Sequence, residues 1–150
     1  RQQVEILNIN YKTNIMSTKD KIIIYTNSSC PYCKQVKEEL DKNNIKYTEK
    51  DTQENLDEWT DVSSLTGIPQ VPTLFFKNNY FAPARDFSNE QHLVSIIKNF
   101  KNISTSLEEK VILEKIKTLN FNISMAFSRL DQTLKQLETK LNKDEHKSTN

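Results

Sequence analysis

Glycine, histidine and cysteine are scarce in this chain, and each scarcity excludes a class of site. The 150 residues include one glycine, Gly67, so no glycine-rich loop is present that could hold a phosphate. The two histidines, His92 and His146, lie far apart in the sequence, which argues against a histidine-based metal site. Two cysteines are too few for the disulfide framework of a secreted domain, so we expect a reducing, cytoplasmic location.

Neither the net charge nor any hydrophobic run of this chain indicates a nucleic-acid or membrane partner. The 21 basic residues nearly balance the 20 acidic ones, which argues against nucleic acid as a partner. The longest apolar run, residues 22–25, is far shorter than the ~20 residues that span a bilayer, so we expect no membrane partner. Hydrophobic residues make up 35% of the chain, against ~45–50% in ordinary domains. The core must therefore be small for a chain of this length.

Four short segments have the composition of β-strands. β-Branched or alternating apolar residues carry the pattern, and in the second segment Ile45 and Tyr47 are expected to face inward. Asn78-Asn79 would turn a tight hairpin between the last two strands, because asparagine tolerates positive φ. The strands are expected at residues 21–26, 45–50 and 73–76, and from residue 80 onward.

Three helices are expected between or after these strands. Pro31 suits the first position of one helix. Asp51-Thr52 would cap the second, and Ser88 with Gln91 would form a capping box for the third. The order is then β-α-β-α-β-β-α. Strand–helix–strand units pair in parallel and hairpins pair antiparallel, so this order predicts an α/β fold with a small mixed four-stranded sheet.

We place the sheet domain at residues 20–102. The residues that follow it have a different composition and periodicity. Residues 106–142 lack proline and glycine and predict a long amphipathic helix that begins at a Ser106–Glu109 capping box. Its apolar residues span 25 positions in seven steps, about 3.57 residues per step, between the 3.5 of a coiled coil and the 3.6 of a straight helix. The apolar residues are Ile116, Leu119, Ile123, Phe127, Leu130, Leu134, Leu137 and Leu141.

Such a helix cannot bury its apolar face on so small a domain. We therefore expect it to form a homo-oligomer or to dock on a partner. Residues 1–19 are expected to be a disordered N-terminal arm, whose first 15 residues either precede the native start or belong to it. Residues 143–150 are expected to be a polar, disordered tail.

Cys30-Pro31-Tyr32-Cys33 stands at the predicted junction of the first strand and the first helix. A metal would need further ligands that the chain does not supply, so we expect a redox pair and no metal. Unpaired N–H groups at the helix N-terminus would stabilise the Cys30 thiolate. Cys33, one turn further, would be more buried and would attack a mixed disulfide formed on Cys30. Tyr32 is expected to shield the pair or to contact substrate.

These residues resemble the glutaredoxins, a family of the thioredoxin-like superfamily. The resemblance covers about residues 20–101, and depends on the cysteine motif, on Val71-Pro72-Thr73 before a strand and on the element order. It implies a thioredoxin-like fold in which Pro72 is cis and packs beside the cysteines. It also implies that the Val71 backbone pairs with the cysteinyl part of glutathione, which would serve as co-substrate in reducing protein disulfides or glutathionylated substrates.

Four positions near the implied glutathione site differ from the family pattern or are ambiguous. Where glutaredoxins carry Gly-Gly and then an Asp that holds the γ-glutamyl end of glutathione, this chain has Ala82-Pro83 and then Asp86. Asn27 stands where a lysine commonly pairs with a glutathione carboxylate. Arg85 is either a ligand for a substrate carboxylate or an exposed charge.

Several functions stay open at this point. Gln70-Val71-Pro72 is similar to small glutaredoxin-like hydrogen donors that take electrons from thioredoxin reductase, so the electron donor is glutathione or that reductase. An alternative to an enzyme is a structural or assembly protein, whose thioredoxin-like domain is tethered by the long helix. The resemblance also allows, less favourably, an iron–sulfur cluster shared by two chains through Cys30 and glutathione.

Overall fold

The computed structural model describes residues 21–101 and 106–147, with side chains described up to residue 143. The predictions for residues 1–19 and for the last three residues of the tail lie outside the described residues. The elements are β1 (Ile23–Thr26), α1 (Pro31–Lys42), β2 (Thr48–Asp51), α2 (Leu56–Thr66), β3 (Thr73–Phe76), β4 (Asn79–Phe81), α3 (Glu90–Asn99) and α4 (Leu107–Lys147). The first seven elements follow the predicted β-α-β-α-β-β-α order.

The four strands form one mixed sheet in the order β2-β1-β3-β4. β1 and β2 pair in parallel, with Ile24 opposite Glu49, because α1 carries the chain back between them. β1 pairs antiparallel with β3, where Ile24 faces Leu74, and β3 pairs antiparallel with β4 through a hairpin. This is the thioredoxin-like arrangement, and the predicted fold class is confirmed.

Alternation along β1 divides the core into two layers. Ile24 lies in one buried cluster, and Ile23 and Tyr25 lie in the other. α1 and α3 cover the first layer and α2 covers the second. Leu107 and Val111, in the first turns of α4, also pack against the second layer. The sheet therefore has apolar side chains on both faces, as expected for a strand with a helix layer on each side.

The start of the second strand was predicted three residues too early. Ile45 donates its backbone N–H to the carbonyl of Leu40 at 3.0 Å and so closes α1 instead of pairing with β1. The Thr48 N–H donates to the Ile22 carbonyl at 2.8 Å, at the start of the strand. Ile45 and Tyr47 are partly buried against the first core layer without being strand residues. Their alternation thus reflects packing of a loop.

The prediction that Asp51-Thr52 caps the second helix is wrong. Asp51 is the last residue of β2, and its carboxylate accepts the Gln53 N–H at 2.7 Å in a turn. The N-cap of α2 is Asn55, which makes no side-chain capping hydrogen bond. The acidic residue that was expected to open the helix instead shapes the connection that leads to it.

The capping box predicted at Ser88 and Gln91 is also wrong, by one residue. Asn89 is the N-cap of α3, and its side chain accepts the His92 N–H at 2.8 Å. Asparagine caps a helix as well as serine does, and two adjacent cap-forming residues leave the position ambiguous from sequence.

The hairpin turn likewise lies one residue earlier than predicted. Lys77 and Asn78 occupy the two central positions, with φ of 46° and 60°. Asn79 is already paired with Phe76 as the first residue of β4. Positive φ at both central positions is typical of a two-residue turn that matches the twist of the strands.

α4 begins with the predicted capping box. The Ser106 N–H donates to the Glu109 carboxylate at 2.8 Å, and the Glu109 N–H donates to the Ser106 hydroxyl at 3.2 Å. The compact unit that holds the sheet continues to Thr118, beyond the boundary expected at residue 102. The helix itself continues to Lys147, past the expected residue 142.

The second compact unit starts at Leu119 and contains the rest of α4. Its large apolar side chains are exposed, from 42% for Met125 to 68% for Phe127. Lys135 and Asp131 form an exposed ion pair one turn apart, at 2.8 Å. Within residues 21–101 and 106–147, no helix is long and apolar enough to cross a membrane.

Candidate active site

Cys30 and Cys33 are joined by a disulfide at the N-terminus of α1. Cys30 is the N-cap residue, with extended backbone, and Pro31 occupies the first turn, where its missing N–H is not needed. The Cys30 sulfur accepts the backbone N–H of Cys33 at 3.1 Å. A backbone donor and the positive end of the helix dipole thus meet at one sulfur, which favours negative charge there when the pair is reduced.

The turn before Cys30 is built by Asn27. Its side-chain oxygen accepts the Ser29 N–H at 2.9 Å and the Ser29 hydroxyl at 2.7 Å. Its carbonyl accepts the Cys30 N–H at 3.1 Å. Asn27, where the family pattern has a lysine, therefore organises the approach of the chain to the helix cap.

The two sulfurs differ in their access to solvent. Cys30 is partly exposed, whereas Cys33 is 2% exposed and lies on the same helix face as the buried Val36 and Leu40. A sulfur in contact with solvent can reach a bulky disulfide and a buried one cannot, so the Cys30 sulfur is the more accessible of the two to such a molecule.

Val71 and Pro72 lie beside the cysteine pair. The Val71–Pro72 peptide bond is cis, as the resemblance implies. The Val71 carbonyl oxygen is 3.9 Å from the Cys30 sulfur, and the Pro72 side chain is fully buried. The Thr73 hydroxyl donates to the Gln70 carbonyl at 2.7 Å and closes this bend. The segment that leads into β3 thus approaches Cys30 through its backbone.

Tyr32 is partly buried against the first core layer. Its ring centroid lies 6.5 Å from that of Phe87, at a tilted angle. Burial raises the pKa of Tyr32, and the charge of Glu90 raises it further. The phenol is therefore a neutral hydroxyl next to the redox pair across the physiological range, able to donate a hydrogen bond.

Asp86 is held inside the loop formed by residues 82–87. Its Oδ2 accepts the Ala82 N–H at 2.7 Å and the Arg85 Nε–H at 2.8 Å. The Ala84 N–H donates to the Phe87 carbonyl at 2.9 Å, and Ala84 has φ of 63°. The loop thus closes without glycine, with alanine in the left-handed conformation that favours glycine.

Neither sequence-based expectation for Arg85 is correct. Its side chain is 0% exposed, and its Nη2 lies 2.7 Å from the Glu114 carboxylate of α4. Its guanidinium also donates to the carbonyls of Thr66 and Tyr80, both at 3.1 Å. Arg85 is therefore an internal cation that joins the loop to α2, β4 and α4. Sequence reasoning missed this role because Glu114 is 29 residues away, on a helix outside the family resemblance.

The described part of the chain contains no group of three or more His, Cys, Asp or Glu side chains that could hold a metal ion. His92 is exposed, and its Nδ1 accepts the Ser88 N–H at 3.3 Å. Trp59 packs against the second core layer, 5.8 Å from the Tyr25 ring. These two residues belong to the surface and the core respectively.

This chain is similar in sequence to known proteins. The sequence model of the Glutaredoxin family matches residues 22–81. Glutaredoxin 1 of Rickettsia prowazekii is 39% identical over 72 residues, which cover 45% of this chain and 74% of that protein.

Two solved structures are similar to parts of the chain. The glutaredoxin–glutathione complex of buckwheat is 14% identical with a TM-score of 0.46, covering 73% of this chain and 90% of that one. Oxidized glutaredoxin 2 of Chlamydomonas reinhardtii is 20% identical with a TM-score of 0.44, covering 75% and 96%.

Proposed function

Because the chain belongs to the glutaredoxin family and is a thiol–disulfide oxidoreductase, we propose that Cys30 and Cys33 act as a dithiol that reduces protein disulfides or glutathione mixed disulfides. One observation carries the proposal. The partly exposed Cys30 sulfur sits at a helix N-terminus and accepts the N–H of the buried Cys33. That asymmetry suits one sulfur to attack and the other to resolve.

In the first step the Cys30 thiolate attacks one sulfur of the substrate disulfide. A bond forms between Cys30 and that sulfur, the substrate S–S bond breaks, and the other sulfur leaves as a thiolate that takes a proton from water. The N–H of Cys33 and the end of α1 stabilise the attacking thiolate.

In the second step the Cys33 thiolate attacks the Cys30 sulfur of the mixed disulfide. The second substrate sulfur leaves as a thiolate, and the Cys30–Cys33 disulfide forms, which is the bond seen in the structure. Two electrons have then passed to the substrate. Two glutathione thiols, oxidised to glutathione disulfide, would restore the dithiol.

Glutathione is proposed to bind beside the cysteines as a substrate. Tyr32, Val71, Pro72 and Asp86 are the residues proposed to contact it. The support is the cis segment whose Val71 carbonyl lies 3.9 Å from the Cys30 sulfur. The backbone at that point could pair with the cysteinyl part of a peptide. The proposed location is the cytoplasm, where glutathione keeps cysteine thiols reduced.

Single-cysteine variants test the mechanism. We expect Cys30→Ser to abolish reduction of every disulfide substrate, since the attacking sulfur is lost. We expect Cys33→Ser to lose reduction of protein disulfides while keeping release of glutathione from a glutathionylated peptide, which requires one thiol. Ser28→Ala, in the exposed turn before the site, is the matched control and should keep full activity. Full turnover by Cys30→Ser would refute the mechanism.

A coupled assay run with two electron sources tests the donor. One reaction contains glutathione and glutathione reductase, and the other contains thioredoxin reductase, each with NADPH oxidation as the readout. We propose glutathione as donor and expect turnover in the first reaction. Turnover in the second alone would contradict the glutathione proposal without affecting the dithiol mechanism.

We propose assembly as a second function, carried by the exposed apolar face of α4. Six large side chains between residues 123 and 141 are 44% to 68% exposed, and a contiguous exposed apolar face of this kind marks an interaction surface. Light scattering of the full chain under reducing conditions tests self-association. A mass above the 17.6 kDa of one chain would support it, and a mass equal to one chain would refute it.

A further inference from the structure

We propose that residues 120–141 of α4 pair with the same segment of a second copy of this chain, as a parallel two-stranded coiled coil in which the two Asn120 side chains face each other. The proposal rests on the assembly function above and specifies its partner, direction and register. It is independent of the chemistry at Cys30.

The first support is a heptad pattern on the exposed face. From residue 120 to 141 the core positions alternate in steps of three and four, and six of the seven are apolar. All six apolar side chains are at least 44% exposed. The a positions are Asn120, Phe127, Leu134 and Leu141, and the d positions are Ile123, Leu130 and Leu137.

The second support is the polar residue in this pattern. Asn120 is exposed and occupies an a position among apolar neighbours. A single asparagine at an a position costs stability but fixes register and favours two strands. In a parallel, in-register pair the two amides meet and can hydrogen-bond. In an antiparallel pair each amide would face an apolar side chain and lose its partner.

The third support is the charge on the two edges of the face. Of the e positions, Ser124 is neutral and Asp131 and Glu138 are acidic, whereas the g positions Ala126, Thr133 and Lys140 are neutral or basic. In a parallel pair each e edge meets the g edge of the other copy, so the acidic edge has no acidic neighbour. In an antiparallel pair the two acidic edges would meet and repel. The edges therefore favour the parallel direction.

Disulfide trapping tests direction and register. The full chain with Cys30→Ser and Cys33→Ser receives one new cysteine, either Ile123→Cys or Leu137→Cys, and is equilibrated in a glutathione redox buffer. We expect each variant to form a disulfide with itself, because d positions of equal number meet in a parallel register. Gln132→Cys, on the outer f position, is the control and should not be trapped.

Two trapping results would overturn the proposal. A disulfide that forms only when the Ile123→Cys variant is mixed with a Leu134→Cys variant of the same background would indicate antiparallel pairing, because d positions then meet a positions of the other copy. Trapping of neither variant above the level of the Gln132→Cys control would show that these residues do not meet.

Sedimentation equilibrium of the full chain under reducing conditions tests the number of strands. We expect twice the chain mass for the wild type, one chain mass for Leu134→Glu, and twice the chain mass for the control Gln132→Glu, which adds the same charge on the outer face. Asn120→Leu should add species of three or more chains, since the residue that limits the number is lost.

The mass also separates this inference from the assembly function. A wild-type mass of three or more chains, or an unchanged two-chain mass for Leu134→Glu, would overturn the coiled coil while leaving self-association in place. A wild-type mass of one chain would overturn both.

Discussion

The Arg85 guanidinium and the Glu114 carboxylate form a buried ion pair, with Nη2 and Oε2 2.7 Å apart and both side chains at most 4% exposed. Arg85 comes from the loop after β4, and Glu114 comes from the fourth helix. Asp86 also pairs with the guanidinium at 2.7 Å. Removing two charges from water is costly, so each depends on the other once buried. The start of α4 is thereby attached to the loop that contains Asp86.

We expect Glu114→Gln to lower the free energy of unfolding by about 3 kcal/mol, because a buried guanidinium loses one of its two anionic partners. Urea denaturation followed by circular dichroism at pH 7 measures this. Glu108→Gln, an exposed acid in the first turn of the same helix, is the matched control and should change stability by about 0.5 kcal/mol or less. Equal, small effects for both variants would show that the buried pair does not secure the helix.

The first half of the fold could be predicted because its signals are local. A short β-branched run in β1, a proline at the start of α1 and two cysteines one turn apart each depend on neighbours in sequence. The cis bond before Pro72 was predicted from the family resemblance, because no local sequence pattern indicates it. Predicted element boundaries were wrong where two adjacent residues could both cap a helix, as with Ser88 and Asn89 at the start of α3.

The role of Arg85 could not be predicted, for a different physical reason. An arginine in a loop is usually exposed, and its burial here depends on Glu114, which is brought near only when α4 packs on the domain. The heptad spacing of α4 predicts only its exposed apolar face. The residues that attach the helix to the domain, Glu114 and Thr118, lie on another face and are polar.

Glu49 should contribute to stability in a pH-dependent way. Its Oε1 accepts hydrogen bonds from the Lys37 ammonium and the Thr26 hydroxyl, both at 2.7 Å, and these lower the pKa of Glu49. A lowered pKa means that the folded state favours the carboxylate. Its contribution is therefore present above the ordinary pKa of glutamate and is lost as pH falls through the lowered value.

We expect Glu49→Gln to destabilise the domain by about 0.5–1 kcal/mol at pH 7, the range for partly exposed pairs. The difference from wild type should vanish at a pH below the lowered pKa, where Glu49 is protonated in both states. Urea denaturation at neutral and at acidic pH is the measurement. Glu38→Gln removes a pair with Lys34 that is 66% to 79% exposed and 3.9 Å long, and should be neutral at both. A difference that persists at low pH would exclude the charge as its cause.

Asp86→Asn separates the structural role of Asp86 from its proposed role in glutathione binding. If the carboxylate binds the charged end of glutathione, we expect the KM for glutathione to rise about tenfold. A loss of that size corresponds to one hydrogen bond to a charged group. The rate of Cys30 alkylation should stay unchanged, because the contacts of the Asp86 carboxylate lie within its own loop. Asp57→Asn, in the exposed first turn of α2, is the control. A fall in melting temperature with an unchanged KM would show that Asp86 serves only to hold its loop.

Gly67 and Thr118 meet where α2 ends and α4 passes over it. Gly67 caps α2 with φ of 67°, and a Cβ added there would lie 2.8 Å from the Thr118 methyl carbon. The Thr118 hydroxyl donates to the carbonyl of Thr66. Alanine at residue 67 would therefore meet two separate costs: about 1–2 kcal/mol for the left-handed backbone, and the displacement of a side chain that is hydrogen-bonded in place.

A double-mutant cycle distinguishes these costs. Thr118→Ser removes the methyl group and keeps the hydroxyl, so Gly67→Ala should cost about 1 kcal/mol less in that background than in the wild type. Unfolding free energies of the two single variants and the double variant, from urea denaturation, provide the comparison. If Gly67→Ala lowers the unfolding free energy equally in both backgrounds, α4 moves away from the added methyl group without loss of stability. A smaller cost in the Thr118→Ser background would instead show that the helix is held firmly against the end of α2, as the buried Arg85–Glu114 pair requires.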